Sequence, residues 1–171
     1  AGSDFFSIIK LNCKEKIVLD FGCGIGDASR KVYDFNPKKI TGIDISEVSV
    51  KKASDEAKRL NLSIDYKVDN CENLKFENNS FDLVYGTGII HHLSTEKCVS
   101  EISRVLKKNG VLVFLEPLGT NPIINLYRRI TPKARSHDEH PLIKKDFEIL
   151  KKNFNNLNIK YYGFLTLLFF L

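Results

Sequence analysis

The residues best suited to chemistry lie in one short run, Val18-Leu19-Asp20-Phe21-Gly22-Cys23-Gly24-Ile25-Gly26. Glycines at alternate positions directly after an apolar segment let the backbone approach a ligand closely. A nicotinamide dinucleotide site would need a further glycine where Asp27 stands. A carboxylate there, at a helix N-terminus, opposes the pyrophosphate that such termini bind. The turn therefore suits a ligand with no phosphate and with a cationic centre. Asp44, about twenty residues beyond the turn, is placed to accept hydrogen bonds from ribose hydroxyls. A helix-capping role is the alternative for that acid.

Three further groups could act. His91-His92 offers two imidazoles, either as a base or as a structural wall. His137-Asp138-Glu139-His140 has a His-x-x-His spacing that binds metal on a helix, but Pro141 disfavours a helix at His140, so no metal is expected. Only six of the 26 basic residues are arginine, and Arg128, Arg129 and Arg135 cluster. Where lysine serves as the generic cation, a clustered guanidinium suits planar, bidentate anion recognition. A solvated basic surface, braced by Arg135 against Asp138 or Glu139, is the plainer reading.

These residues need elements to hold them. Residues 17–19, 39–45, 64–68, 81–85 and 111–115 read as strands. Residues 28–35, a stretch capped by Ser46 and running to about residue 60, residues 95–107 ended by Asn109-Gly110, and residues 144–153 read as helices. Strands separated by helices predict a parallel, doubly wound α/β sheet covered on both faces. Residues 157–162 read as another strand, and 164–171 as a further strand or the start of something missing. The chain is expected to form one domain over residues 1–171: a core at 15–117, an insertion at 118–143, and a C-terminal helix and strand at 144–171.

Composition narrows the class. With 171 residues, 43% hydrophobic and 27% charged, the chain can bury a core and is not expected to be disordered. The apolar run at 167–171 falls far short of the ~20 residues of a membrane span, and no basic-then-apolar leader is visible. The chain lacks methionine, so it is expected to be processed, excised or incompletely represented, with Ala1-Gly2-Ser3 an added scar. Cys13, Cys23, Cys71 and Cys98 show no C-x-x-C spacing, which points to a reduced, cytoplasmic setting. The net charge of +5 sits in the last third of the chain, because acids and bases balance before Pro117. That asymmetry suits an anionic acceptor or peripheral contact with a membrane surface.

Several motifs occur in order: the glycine-rich turn, Gly42-Ile43-Asp44-Ile45-Ser46, Asp69-Asn70-Cys71-Glu72-Asn73-Leu74, Phe81-Asp82-Leu83-Val84, His91-His92-Leu93 and Arg104-Val105-Leu106-Lys107. Together they resemble a class I S-adenosylmethionine-dependent methyltransferase, most similar to the ubiquinone/menaquinone C-methyltransferase-like branch. The resemblance implies a Rossmann-like fold whose last strand would be 164–171 or lie beyond the chain. It implies S-adenosylmethionine as cofactor and S-adenosylhomocysteine as product. Asp20, Gly22, Gly24 and Gly26 would surround the methionine and ribose, Asp44 the ribose hydroxyls, and Ile45 the adenine. Asn70 stands where the family usually has Asp beside the adenine amino group. Cys71 would offer its backbone N–H, and Gly86 and Thr87 would meet the methionine end. Tyr127, Arg128, Arg129, Arg135 and Glu139 would line the substrate region, with His140 or His92 as base.

The implied acceptor is a small molecule or lipid. Enzymes that methylate exocyclic amines of nucleic-acid bases usually carry an Asn/Asp-Pro-Pro-aromatic segment after the fourth strand. Gly86-Thr87-Gly88-Ile89 stands here, so a nucleic-acid partner is disfavoured. A cofactor-binding but inactive partner or scaffold subunit is the alternative. The sequence does not specify the oligomeric state.

Overall fold

The computed structural model describes residues 2–118 and 140–162. Five parallel strands, β1 (Ile17–Phe21), β2 (Lys39–Asp44), β3 (Asp65–Val68), β4 (Phe81–Thr87) and β5 (Leu106–Leu115), lie in the order β3-β2-β1-β4-β5. Helices α1 (Gly2–Cys13), α2 (Asp27–Tyr33), α3 (Glu47–Arg59), α4 (Thr95–Val105) and α5 (Lys144–Asn153) accompany them. The chain winds outward from β1 to β3, then crosses back to β4 beside β1. The strand order therefore reverses between β1 and β4, and open α/β sheets bind ligands at the C-terminal edge of such a reversal.

Strands β1, β2, β4 and β5 divide their side chains between two apolar layers, whereas β3 at the sheet edge buries none fully. Leu19, Phe21, Ile43 and Val84 join Val99 and Ile102 of α4 and Leu150 of α5 on one face. Val18, Ile40, Leu83 and Tyr85 join Phe5, Ile9 and Cys13 of α1 and Val32 of α2 on the other. The sequence reading gives no element for α1. It buries Phe5, Ile9 and Cys13 at helical spacing, with Phe6 and Ile8 packed beside them, a short signal that tertiary burial makes decisive.

Two expectations are corrected. The helix expected over 95–107 stops at Val105, and β5 begins at Leu106 instead of 111. Leu106 pairs with Phe81 and Val111 with Leu83, so Lys107–Gly110 bulge from the ladder and Asn109-Gly110 do not end a helix. Burial of Leu106 against β4 outweighs its helical spacing. The strand expected over 157–162 is not formed: these residues pair with no strand among those described. There the Tyr162 hydroxyl and the Lys160 ammonium reach Asp4 in the first turn of α1, at 2.9 and 3.8 Å. The further strand expected at 164–171 lies outside the described residues.

At the N-terminal edge one carboxylate ties three elements together. Asp82 accepts from the Ile17 N–H at 2.9 Å and from the Lys107 ammonium at 2.9 Å. Burial acts to raise the Asp82 carboxyl, but these donors outweigh it and hold the group below the usual aspartate range. Asp82 thus contributes stability that is present above the unfolded-state value and is lost as pH falls through the lower folded-state value. Asp82→Ala is expected to lower stability at neutral pH by about 1–3 kcal/mol in urea unfolding, because the Ile17 N–H is left unpaired. The loss should shrink as the wild-type protein is acidified.

Candidate functional site

The turn after β1 is built at the reversal. Gly22, Gly24 and Gly26 all have positive φ, and the Cys23 N–H donates to the Ile43 carbonyl at 2.8 Å, pinning the turn to β2. Gly24 differs from the other two in its surroundings. A Cβ on Gly22 would strike Ile89, and one on Gly26 would strike Tyr66, whereas one on Gly24 would meet nothing within 4 Å. Gly24 therefore lines open space, and its φ of +51° independently disfavours a side chain.

Asp44 stands beside that space. Its Oδ2 accepts from the Gly24 N–H at 2.9 Å and its Oδ1 from the Ser46 N–H at 2.9 Å. The acid thus braces both the glycine turn and the start of α3, where the Ser46 side chain accepts from the Ser49 N–H. Each carboxylate oxygen retains acceptor capacity for hydroxyls arriving from the open side. Ile45 follows, 71% exposed at the rim.

Asn70 and Cys71 lie just past β3. The exposed Asn70 side chain accepts from the Glu72 N–H at 2.8 Å and its carbonyl from the Asn73 N–H at 2.9 Å, a tight turn. Asp69 holds the same turn, accepting from the N–H groups of Asn70 and Lys75. Burial pushes the thiols of Cys23 and Cys71 far above the ordinary range, so both are neutral packing groups. All four cysteines are buried and free.

Asp20 lies beneath the turn, 1% exposed, and accepts a short hydrogen bond from the Ser29 hydroxyl of α2. Burial pushes its carboxyl up to about 6, with the Ser29 and Tyr85 hydroxyls opposing and Asp44 adding to the rise. A cation entering the space above would favour its ionised form.

Gly86 closes the β4 side. A Cβ there would lie 2.7 Å from the Phe21 carbonyl and 2.6 Å from Phe114, so packing alone requires glycine. Thr87 is exposed at the strand end. The next turn is held by a residue just past β5 for which the sequence alone predicts no role. Glu116, at the end of β5, accepts from the N–H groups of Ile89 and Ile90 at 2.9 and 3.0 Å, and its Oε2 lies 2.8 Å from His91 Nδ1. The signal available in the sequence was an acid immediately after an apolar strand, at the edge that binds ligands.

The His91 and His92 rings lie 4.1 Å apart, with His91 buried and His92 half-buried. His140 is exposed and its N–H donates to the His91 carbonyl at 2.8 Å, which brings its backbone to this turn. Tyr127, Arg128, Arg129, Arg135, His137, Asp138 and Glu139 lie outside the described residues. The structure thus gathers Asp20, the glycine turn, Asp44, Ile45, Asn70, Cys71, Gly86, Thr87 and His92 along one sheet edge. Among the described residues no three His, Cys, Asp or Glu side chains group as metal ligands.

Residues 19–114, more than half of the chain, match the family described as a methyltransferase domain. The chain belongs to this S-adenosylmethionine-dependent methyltransferase family. A sterol 24-C-methyltransferase of Gibberella zeae is 38% identical over 107 residues, which cover 61% of this chain and 28% of that protein. The chain therefore spans less than two thirds of the length of the curated relative it matches. Among solved structures, the YcgJ protein of Bacillus subtilis superposes with a TM-score of 0.74 at 23% identity, covering 90% of this chain and 68% of that one. Phosphoethanolamine N-methyltransferase 2 of Haemonchus contortus, in complex with S-adenosyl-L-methionine, gives 0.73 at 24% identity, covering 88% and 36%. These likenesses are of fold.

The buried Asp20 yields a pH prediction. The folded chain holds this proton more tightly than the unfolded chain does, between the ordinary 3.8 and about 6. Its contribution favours folding at low pH and is lost as pH rises through that interval. Urea unfolding of Asp20→Asn at several pH values should show a flatter profile between about pH 4 and 6 than wild type.

Proposed function

We propose that this methyltransferase domain binds S-adenosylmethionine across the glycine turn and transfers its methyl group to a lipid-like acceptor. The observation that carries the reading is the open space at Gly24, flanked by the Asp44 carboxylate. Backbone lines that space where a side chain would intrude, and an acid stands ready for ribose hydroxyls beside it. The donor set suits a ligand with vicinal hydroxyls and a positive centre, and the buried Asp20 adds negative potential below.

When bound, S-adenosylmethionine supplies a methyl group already activated on a sulfonium. The chain's own residues then have the task of holding and aligning. Asp44 orients the ribose through its remaining lone pairs, and Ile45 covers the adenine. The Asn70 side chain and the Cys71 N–H would meet the adenine edge. Gly24 keeps the floor open, Gly22 and Gly26 leave room for Ile89 and Tyr66 behind it, and Gly86 and Thr87 would bound the methionine end. Alignment at near-attack distance supplies much of the rate in such a transfer. His92 or His140 would take a proton from an acceptor that must lose one. Tyr127, Arg128, Arg129, Arg135 and Glu139 are proposed for the acceptor side, within the insertion at 118–143 of a single-domain chain.

The acceptor class rests on the relatives. The sterol methyltransferase similarity favours an apolar lipid acceptor, more directly than the motifs favour the ubiquinone/menaquinone branch. No helix among the described residues is long and apolar enough to cross a membrane.

Two measurements test this reading. In calorimetry, Gly24→Val should abolish S-adenosylmethionine binding, while Asp44→Ala should weaken it by about 1–3 kcal/mol through lost charge-assisted hydrogen bonds. Wild-type affinity in both would overturn the site. Methyl-labelled cofactor incubated with cell extract should place label in the organic phase. Label in nucleic acid would refute the lipid acceptor, and binding without any transfer would point to an inactive partner subunit.

A further inference from the structure

The turn that follows β4 is short of internal support. Ile90–His92 forms a single turn of 3₁₀ helix, held by the His92 and Leu93 N–H groups donating to the Ile89 and Ile90 carbonyls at 3.0 Å each. Such a turn has poorer hydrogen-bond geometry than an α-helix and does not persist on its own. Its position is set from outside by Glu116. One carboxylate, with its side chain 4% exposed, gathers the Ile89 and Ile90 N–H groups on Oε1. Its Oε2 takes the His91 ring at Nδ1, with the His91 N–H at a longer 3.4 Å. An ionised carboxylate only accepts, so Nδ1 carries the proton and Nε2 faces away from the acid.

Ile89 at the start of this turn packs against the glycine-rich loop. Ile89 occupies the space where a Cβ on Gly22 would stand, at 2.5–2.9 Å from it. Glu116 fixes the Ile89 backbone, and Ile89 closes against Gly22. Both contacts lie on the β4–β5 side of the reversal, whereas Asp44, Ile45 and Asn70 lie on the β2–β3 side. A ligand whose ribose sits at Asp44 and which extends across the turn brings its other end to this wall.

We propose that Glu116 is a positioning residue of the methyl-donor pocket, acting through Ile89 on the wall at the amino-acid end of the ligand. The inference rests on the reading of this pocket as a methyl-donor site. A buried acid that locates four donors at once holds a wall in one place, which is what a pre-organised site requires of its supporting residues. A purely structural role would instead affect both ends of the ligand alike.

The test compares two nucleosides in calorimetry: S-adenosylhomocysteine, and 5′-methylthioadenosine, which keeps the adenosine and the thioether but lacks the amino-acid end. Glu116→Gln should weaken S-adenosylhomocysteine about tenfold while methylthioadenosine stays within about twofold, an order expected for buried N–H groups left poorly paired. The nitrogen signals of the His91 ring should show a protonated Nδ1 in wild type and lose that signature in the variant. Ile89→Ala leaves the carboxylate in place and carries the same split, which keeps the inference testable if Glu116→Gln fails to fold. Equal weakening of both nucleosides, or no weakening of either, overturns it while leaving the pocket assignment intact. A wild-type chain that binds neither nucleoside overturns the methyl-donor reading itself, and the inference with it.

Discussion

Every strand of a parallel sheet must end at the same edge, and in this chain that constraint does the gathering. β1, β2, β3, β4 and β5 each end at one rim, so residues that follow them are brought together from distant parts of the sequence. Asp44 meets Gly24 across 20 positions, and Glu116 meets Ile89 across 27. The reversal of strand order between β1 and β4 then opens a crevice at that rim, since the connections leaving the two strands diverge to opposite sides. Burial of Val18, Leu19, Leu83 and Val84, each fully enclosed between the helical layers, secures the two central strands on which the crevice stands.

Carboxylates organise the loops around this frame, and most of them do so by accepting backbone N–H groups. Asp82 holds the lower edge through Ile17, and Asp44 and Glu116 hold the upper edge through Gly24 and the 89–91 turn. Glu72 accepts from the Ser94 N–H at the start of α4, and Glu101 from the Leu74 N–H. Arg104 completes the second arrangement by donating to the Leu74 and Phe76 carbonyls. Loop backbone cannot satisfy itself as helices and strands do, so buried loop N–H groups need side-chain acceptors. Acids supply the strongest ones. The motif containing Arg104 is in this light a brace for the 74–78 loop rather than a ligand contact.

The family and the acceptor stand on different parts of the chain. The methyltransferase match ends at residue 114, with the strand that completes the described sheet. The charge surplus and the arginine cluster lie beyond it. A shared fold does not by itself fix the acceptor, which depends on the residues that line its site.

The order of strands and helices, the glycine turn and the acid after β2 were legible in the sequence, because each depends on local rules. Apolar runs bounded by turn residues announce buried strands, Ser46 announces its helix, and alternating glycines announce a backbone that bends where other residues resist. Other features depended on partners far away in sequence. Leu106 has helical spacing but is claimed by Phe81 of β4, and residues 157–162 alternate like a strand yet have no described strand to pair with. The α1 stripe is too short to be decisive until the sheet covers it, and Glu116 is one acid among 21 until β5 delivers it to the His91 turn. Local propensity is a property of a few neighbouring residues. A buried hydrogen bond or a ladder partner exists only once the chain has brought the second group within reach.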